Sequence, residues 1–106
     1  MDYTQTMLDV IKSDEYERWF ATLRDKSAVA KINARIYRVQ QGNLGDWRTL
    51  RDGVSEMRID VGAGYRLYFT RRGLTIIILL CGGDKRTQDA DIKRAINLAK
   101  AWGAES

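Results

Sequence analysis

The chain has 106 residues, 44% hydrophobic and 30% charged, with a formal net charge of +4 and no histidine. That length suits one domain spanning residues 1–106 with a modest core, and the composition argues against disorder. The lack of histidine removes the commonest general base, the commonest metal ligand and every histidine triad.

No apolar run approaches the roughly 20 residues of a membrane span. The opening M-D-Y-T-Q-T has no basic region or cleavage pattern, so no signal peptide is expected. The single cysteine, Cys81, cannot form an internal disulfide and lies in an apolar run, which reads as a reduced core thiol. These features point to a cytoplasmic protein with no membrane partner. A basic charge on so small a domain makes a nucleic acid one candidate partner, although the same charge serves solubility.

In chain order, Thr6 to Lys12 reads as a first strand. Asp14 has the place of a helix N-cap with Glu17 three residues on, and Tyr16, Trp19, Phe20 and Leu23 follow at helical spacing. Ser27 can cap a second helix whose apolar stripe is Val29, Ile32, Ile36 and Val39, ending at Gly42. The two helices should pair as a hairpin on a sheet. Lys31, Arg35 and Arg38 fall on the outer side of the second, either as a solvated face or as a rim that tracks phosphates. Gln41 to Gly53 is Gly-, Asn- and Asp-rich and reads as the longest loop, tied down by Leu50 and Trp47, with Arg48 and Arg51 left for solvent or a ligand.

Val54 to Arg86 reads as a three-strand antiparallel meander with glycine-bearing turns. Met57, Ile59 and Val61 alternate with Glu56, Arg58 and Asp60, and Tyr65, Leu67 and Phe69 with Arg66, Tyr68 and Thr70. A three-residue Gly62-Ala63-Gly64 turn sets Asp60 opposite Arg66 and Arg58 opposite Tyr68. One face is then core, and the other carries Glu56, Arg58, Asp60, Arg66 and Tyr68. The last strand, L-T-I-I-I-L-L-C, is apolar on both faces and should be central, leaving through a charged turn, Gly82 to Arg86. Thr87 with Asp89 and Asp91 marks a helix start. Ile92, Ala95, Ile96, Ala99 and Trp102 form that helix's apolar stripe, and Gly103 a C-cap. The order is β-α-α-β-β-β-α, an α+β fold.

The chain has no phosphate-binding loop, dinucleotide fingerprint or zinc spacing, so no metal or cofactor is expected. Its chemistry lies in cations that should converge. Arg58 and Arg66 share a hairpin face, Lys85 and Arg86 leave the neighbouring strand, and Arg48 and Arg51 approach from the loop. Such a cluster suits a phosphodiester, because arginines stabilise the extra charge of a pentacoordinate phosphorane. RNA supplies its own 2′-hydroxyl nucleophile, so a cleaving enzyme needs positioning, a base and an acid. Without histidine the base would be Glu56, an aspartate or a lysine. The alternative is that Asp60–Arg66 and Glu56–Arg58 are plain surface ion pairs.

Three stretches, G-V-S-E-M-R-I-D, G-Y-R-L-Y-F and L-L-C-G-G-D-K, placed in this order after a helical hairpin, resemble the RelE/ParE superfamily of type II toxin–antitoxin toxins. The branch they resemble most is that of the addiction module killer proteins, close to HigB-like toxins. The resemblance implies a RelE-like fold, a small antiparallel sheet packed by an N-terminal helical hairpin with a C-terminal helix. It implies cleavage of messenger RNA on the ribosome and inhibition of translation. By motif position the resemblance points to Arg66, Arg58, Lys85 and Arg86. Joined to the reading of the residues above, it makes Arg66, Lys85 and Arg86 the expected catalytic cations with Glu56 as a candidate proton carrier, and Arg48, Arg51 and Arg58 the expected RNA-holding ones. It also implies a cognate antitoxin, a helix-turn-helix DNA-binding protein. The ParE branch poisons DNA gyrase on the same fold, and a degenerate toxin would only bind its antitoxin and co-repress transcription.

Overall fold

The computed structural model describes residues 7–104. Its elements are β1 (Asp9–Lys12), α1 (Asp14–Ala21), α2 (Lys26–Gln40), β2 (Trp47–Arg51), β3 (Val54–Ile59), β4 (Tyr65–Arg72), β5 (Ile76–Asp84), a 3-10 turn (Lys85–Thr87) and α3 (Gln88–Ala104). The fold is α+β, built on a five-stranded sheet of order β1-β5-β4-β3-β2. β1 runs parallel to β5 and every other pairing is antiparallel, so the sheet is mixed rather than purely antiparallel. Thr6, expected to open the first strand, lies outside the described residues.

The expected loop from Gln41 to Gly53 contains the additional strand, β2. Asp52 and Gly53 both have positive φ (51° and 78°), as a two-residue hairpin turn requires, and they fold Trp47–Arg51 back onto β3. This Asp-Gly turn, together with the W-R-T-L-R alternation before it, is the sequence signal for the strand.

α1 and α2 cover one face of the sheet. Tyr16, Ile32, Ile36 and Val39 pack there with Met57, Ile59, Leu67, Phe69, Ile77 and Leu79. The other face, expected to be polar, carries a second core under α3, in which Val54, Tyr68, Ile78, Leu80 and Cys81 meet Ala95 and Ile96. Three layers result, with β5 central as its double-faced apolarity requires. A bulge opposite Tyr68 and Phe69 places an extra residue in β5, so that Leu80 and Cys81 both serve the α3 side. Burial pushes the Cys81 thiol up to about 11, in keeping with an unreactive core residue.

Several local expectations shift by a residue or two. Ser13, not Asp14, caps α1. Its hydroxyl accepts from the Tyr16 amide (3.0 Å) while donating to the Leu80 carbonyl (2.8 Å), a tertiary bond that selects it. Asp25, not Ser27, caps α2 by accepting from the amides of Ser27 and Ala28. Gly42 follows the α2 C-cap with φ +97°, as expected of a terminating glycine. Gly103 lies within α3 and is not its cap. Gly82, Gly83 and Asp84 extend β5, and the turn begins only at Lys85.

Arg35 is not on the outer rim. It is 7% exposed and donates to three main-chain carbonyls, those of Leu44 (2.9 Å), Arg58 (2.8 Å) and Asp46 (2.6 Å). It thereby ties α2 to the approach to β2 and the end of β3. Gly45 makes room for it: a Cβ there would lie 2.7 Å from Nε, and φ is +67°. Arg35→Ala orphans three acceptors at once and should cost about 2–4 kcal/mol in urea unfolding. A variant as stable as wild type would return Arg35 to the solvent-facing rim.

Candidate nucleic-acid interface

The candidate residues are set out by the sheet register. One row across the sheet joins Arg48 of β2, Glu56 of β3, Tyr68 of β4 and Cys81 of β5. The next joins Arg58, Arg66 and Gly83. This register differs from the expected one because the β3–β4 connection is five residues, Asp60 to Gly64, with Gly62 and Gly64 both at positive φ. The longer turn moves the partner of Arg66 from Asp60 to Arg58, and the partner of Tyr68 from Arg58 to Glu56.

Two arginines therefore face each other across an antiparallel pair, an arrangement that costs stability unless each charge is answered elsewhere. Arg58 Nε lies 3.5 Å from the Asp46 carboxylate, an exposed pair. Arg66, 7% exposed, is held by Glu56, whose carboxylate is fully buried. Glu56 Oε2 accepts from Arg48 Nε at 2.6 Å and from Arg66 Nη1 at 3.3 Å. Glu56 Oε1 and the Tyr68 hydroxyl are buried without a hydrogen-bond partner. Burial, with the Glu56 charge next in importance, raises the Tyr68 phenol well above its ordinary value, so this ring stays neutral.

Arg66, Arg58 and Lys85 line one cleft of about 230 Å³ at the Tyr65 end of the hairpin, with Asp46 and Asp60 on its rim. The Lys85 stem runs across Gly64, where a Cβ would stand 3.2 Å from its Cγ and Cδ. Arg48 joins the group through the shared Glu56. Arg86 does not line this cleft. It is exposed on the 3-10 turn and paired with Asp84, Nη2 to Oδ2 at 3.0 Å, a bond that holds the Asp84 carboxyl below the usual carboxylate range. Arg51 stands apart, at the far end of the β2–β3 pair opposite Val54, in a separate hollow with Leu50 and Ile92.

Asp91 received only a helix-start role from its position in the sequence. It is 4% exposed, accepts from Thr87 Oγ1 (2.5 Å) and Arg94 Nη2 (2.9 Å), and presses on Gly83, where a Cβ would fall 1.8 Å from Oδ2. It clamps the start of α3 to the end of β5, which fixes the turn bearing Lys85 and Arg86. No helical or strand periodicity announces such a contact.

Glu56 is the keystone of the cluster. Glu56→Ala leaves Arg66 buried without its partner and should lower stability by about 3–5 kcal/mol, whereas the same change at the exposed Asp60 should cost under about 0.5 kcal/mol. Equal melting temperatures for the two variants would show that Glu56 holds nothing.

A family model described as phage-derived protein Gp49-like (DUF891) matches residues 18–101 of the chain. An uncharacterized protein of Haemophilus influenzae is 51% identical over 88 residues, covering 83% of this chain and 89% of that protein. The segment matched by the family model spans the positions of the cluster described above, from Arg48 to Arg86. The chain belongs to the phage-derived Gp49-like family (DUF891), which is associated with toxin–antitoxin modules.

Proposed function

We propose that the protein is the toxin of a type II toxin–antitoxin module of the RelE/HigB-like kind, and that it cleaves messenger RNA on the ribosome without a metal. The observation that carries this reading is the facing pair Arg58 and Arg66, with Lys85 beside them in one cleft. Asp46 and Glu56 each answer one of these charges within the protein, and a phosphate placed between the two guanidinium groups would add a shared acceptor for both.

In this mechanism the 2′-hydroxyl gives its proton to the exposed Asp60 carboxylate at the cleft rim and attacks the adjacent phosphorus. The bond to the 5′-oxygen breaks, leaving a 2′,3′-cyclic phosphate and a free 5′-hydroxyl. Arg66 stabilises the phosphorane, and its rigidity matters because a donor already in place costs no reorganisation at the moment of reaction. Arg58 and Arg48 hold the flanking backbone. Lys85 is the exposed cleft group that moves a proton at the leaving oxygen. Full burial and two ion pairs suit Glu56 to positioning Arg66 rather than to proton transfer. Arg86, on the turn, suits a more distant phosphate. Arg51 would serve only RNA that extends to the far hollow. The partner that silences the toxin would be an antitoxin with an acidic or apolar segment for the cationic cleft.

Lys85 is exposed, so Lys85→Ala should melt within about 0.5 kcal/mol of wild type yet cleave ribosome-bound messenger at least about 100-fold more slowly. Lys31→Ala, on the exposed side of α2, should cleave normally. Full activity in folded Lys85→Ala would remove the lysine from the mechanism. Wild-type protein that leaves the messenger whole would overturn the nuclease reading.

A further inference from the structure

The cleft that holds Arg58, Arg66 and Lys85 shares a wall with a second hollow. Tyr65 lines both. The second, about 380 Å³, is bounded by Trp19, Leu23, Arg24, Gly82 and Arg86 in addition to Tyr65. Its aromatic lining is fixed in place. The Trp19 ring lies directly on the Gly82 backbone, where a Cβ would come within 2.4 Å of the ring, so no other residue fits at that position. Tyr65 meets Trp19 edge-on, with centroids 6.4 Å apart and an interplanar angle of 60°. Both rings are half-buried, so each keeps surface open to the hollow. The hollow is charged as well as aromatic: Asp84 and Asp91 line it too, paired with Arg86 and Arg94, which leaves Arg24 as its additional cation. The mechanism above uses neither ring.

We propose that this hollow is a nucleobase subsite, in which the base next to the phosphate bound by Arg58, Arg66 and Lys85 stacks on Tyr65 with Trp19 behind it. The inference rests on the RNA reading of the cleft, and it adds that substrate choice is made by a base pocket beside the scissile phosphate. A ring on the boundary of the two hollows suits a nucleotide, whose base and phosphate are joined through one sugar. Arg86, paired with Asp84 on the rim, can cap a base from the side opposite the rings or hold its next phosphate.

The probe is a short RNA with a single 2′-deoxy substitution that blocks attack, compared with the same strand lacking the base at the following position. Binding of both to the full chain is measured at low salt. Wild type should bind the intact strand roughly ten-fold or more tightly than the abasic one, as loss of one stacked base usually costs. Tyr65→Phe should keep that ratio. Tyr65→Leu should bring it close to one, through weaker binding of the intact strand alone. Equal, measurable affinity of wild type for the two strands overturns the subsite alone, whereas binding of neither strand overturns the RNA reading of the cleft and the subsite with it. Because the readout is binding to an uncleavable strand, a ten-fold ratio in a protein that never cleaves RNA would sink the nuclease reading and leave the base pocket standing.

Discussion

The Glu56 carboxylate has no exposed surface, yet it carries a charge shared by two guanidinium groups. Taking such a group out of water costs several kcal/mol, which only good geometry repays. The sheet supplies that geometry. Arg48 stands directly opposite Glu56 on β2, and Arg66 lies one row away on β4, so one carboxylate oxygen reaches both. An apolar trio would pack here at least as well, so stability alone does not account for the arrangement. What the buried carboxylate achieves is to fix the position of Arg66, at the edge of a cleft, with its side chain almost wholly removed from solvent.

The rest of the fold serves to keep that row in place. α3 seals the Glu56 face with its own core, and α1 and α2 seal the other. Arg35 fastens the approach to β2, which delivers Arg48, to the end of β3, which delivers Arg58. Asp91 fastens the end of β5 to α3 and so sets the turn from which Lys85 reaches back over Gly64. Two buried polar side chains thus brace the two margins of the cationic cleft. Each is a residue whose charge would otherwise place it at the surface.

Much of this was legible in the residues. Alternation from Val54 to Thr70 located β3 and β4 and assigned their faces, and the unbroken apolar run to Cys81 marked β5 as central. The apolar stripes of α1, α2 and α3 were readable as well. What escaped was decided by tertiary contacts. Glu56, Arg66 and Tyr68 look like an exposed face because their types are polar, and only the docking of α3 buries them. The apolarity of both faces of β5 implied a second covered face, but the polar residue types of β3 and β4 concealed how far it extends. Arg35 reads as solvent-facing because a lone arginine gives no sign that three carbonyls await it. The register turned on two extra turn residues, Asp60 and Val61, and a change of two residues exchanges every partner while leaving both faces intact. β2 was hidden by its loop-like surroundings, although Asp52-Gly53 announced the hairpin.

This rigidly held arginine and its neighbours are proposed to act on messenger RNA. Mapping transcript 5′ ends after a brief induction tests this most directly. New ends should appear within coding regions, phased to the reading frame, each a 5′-hydroxyl opposite a 2′,3′-cyclic phosphate, and should be absent when Lys85 is replaced by alanine. Intact transcripts in arrested cells, with breaks in DNA bound to gyrase instead, would contradict it.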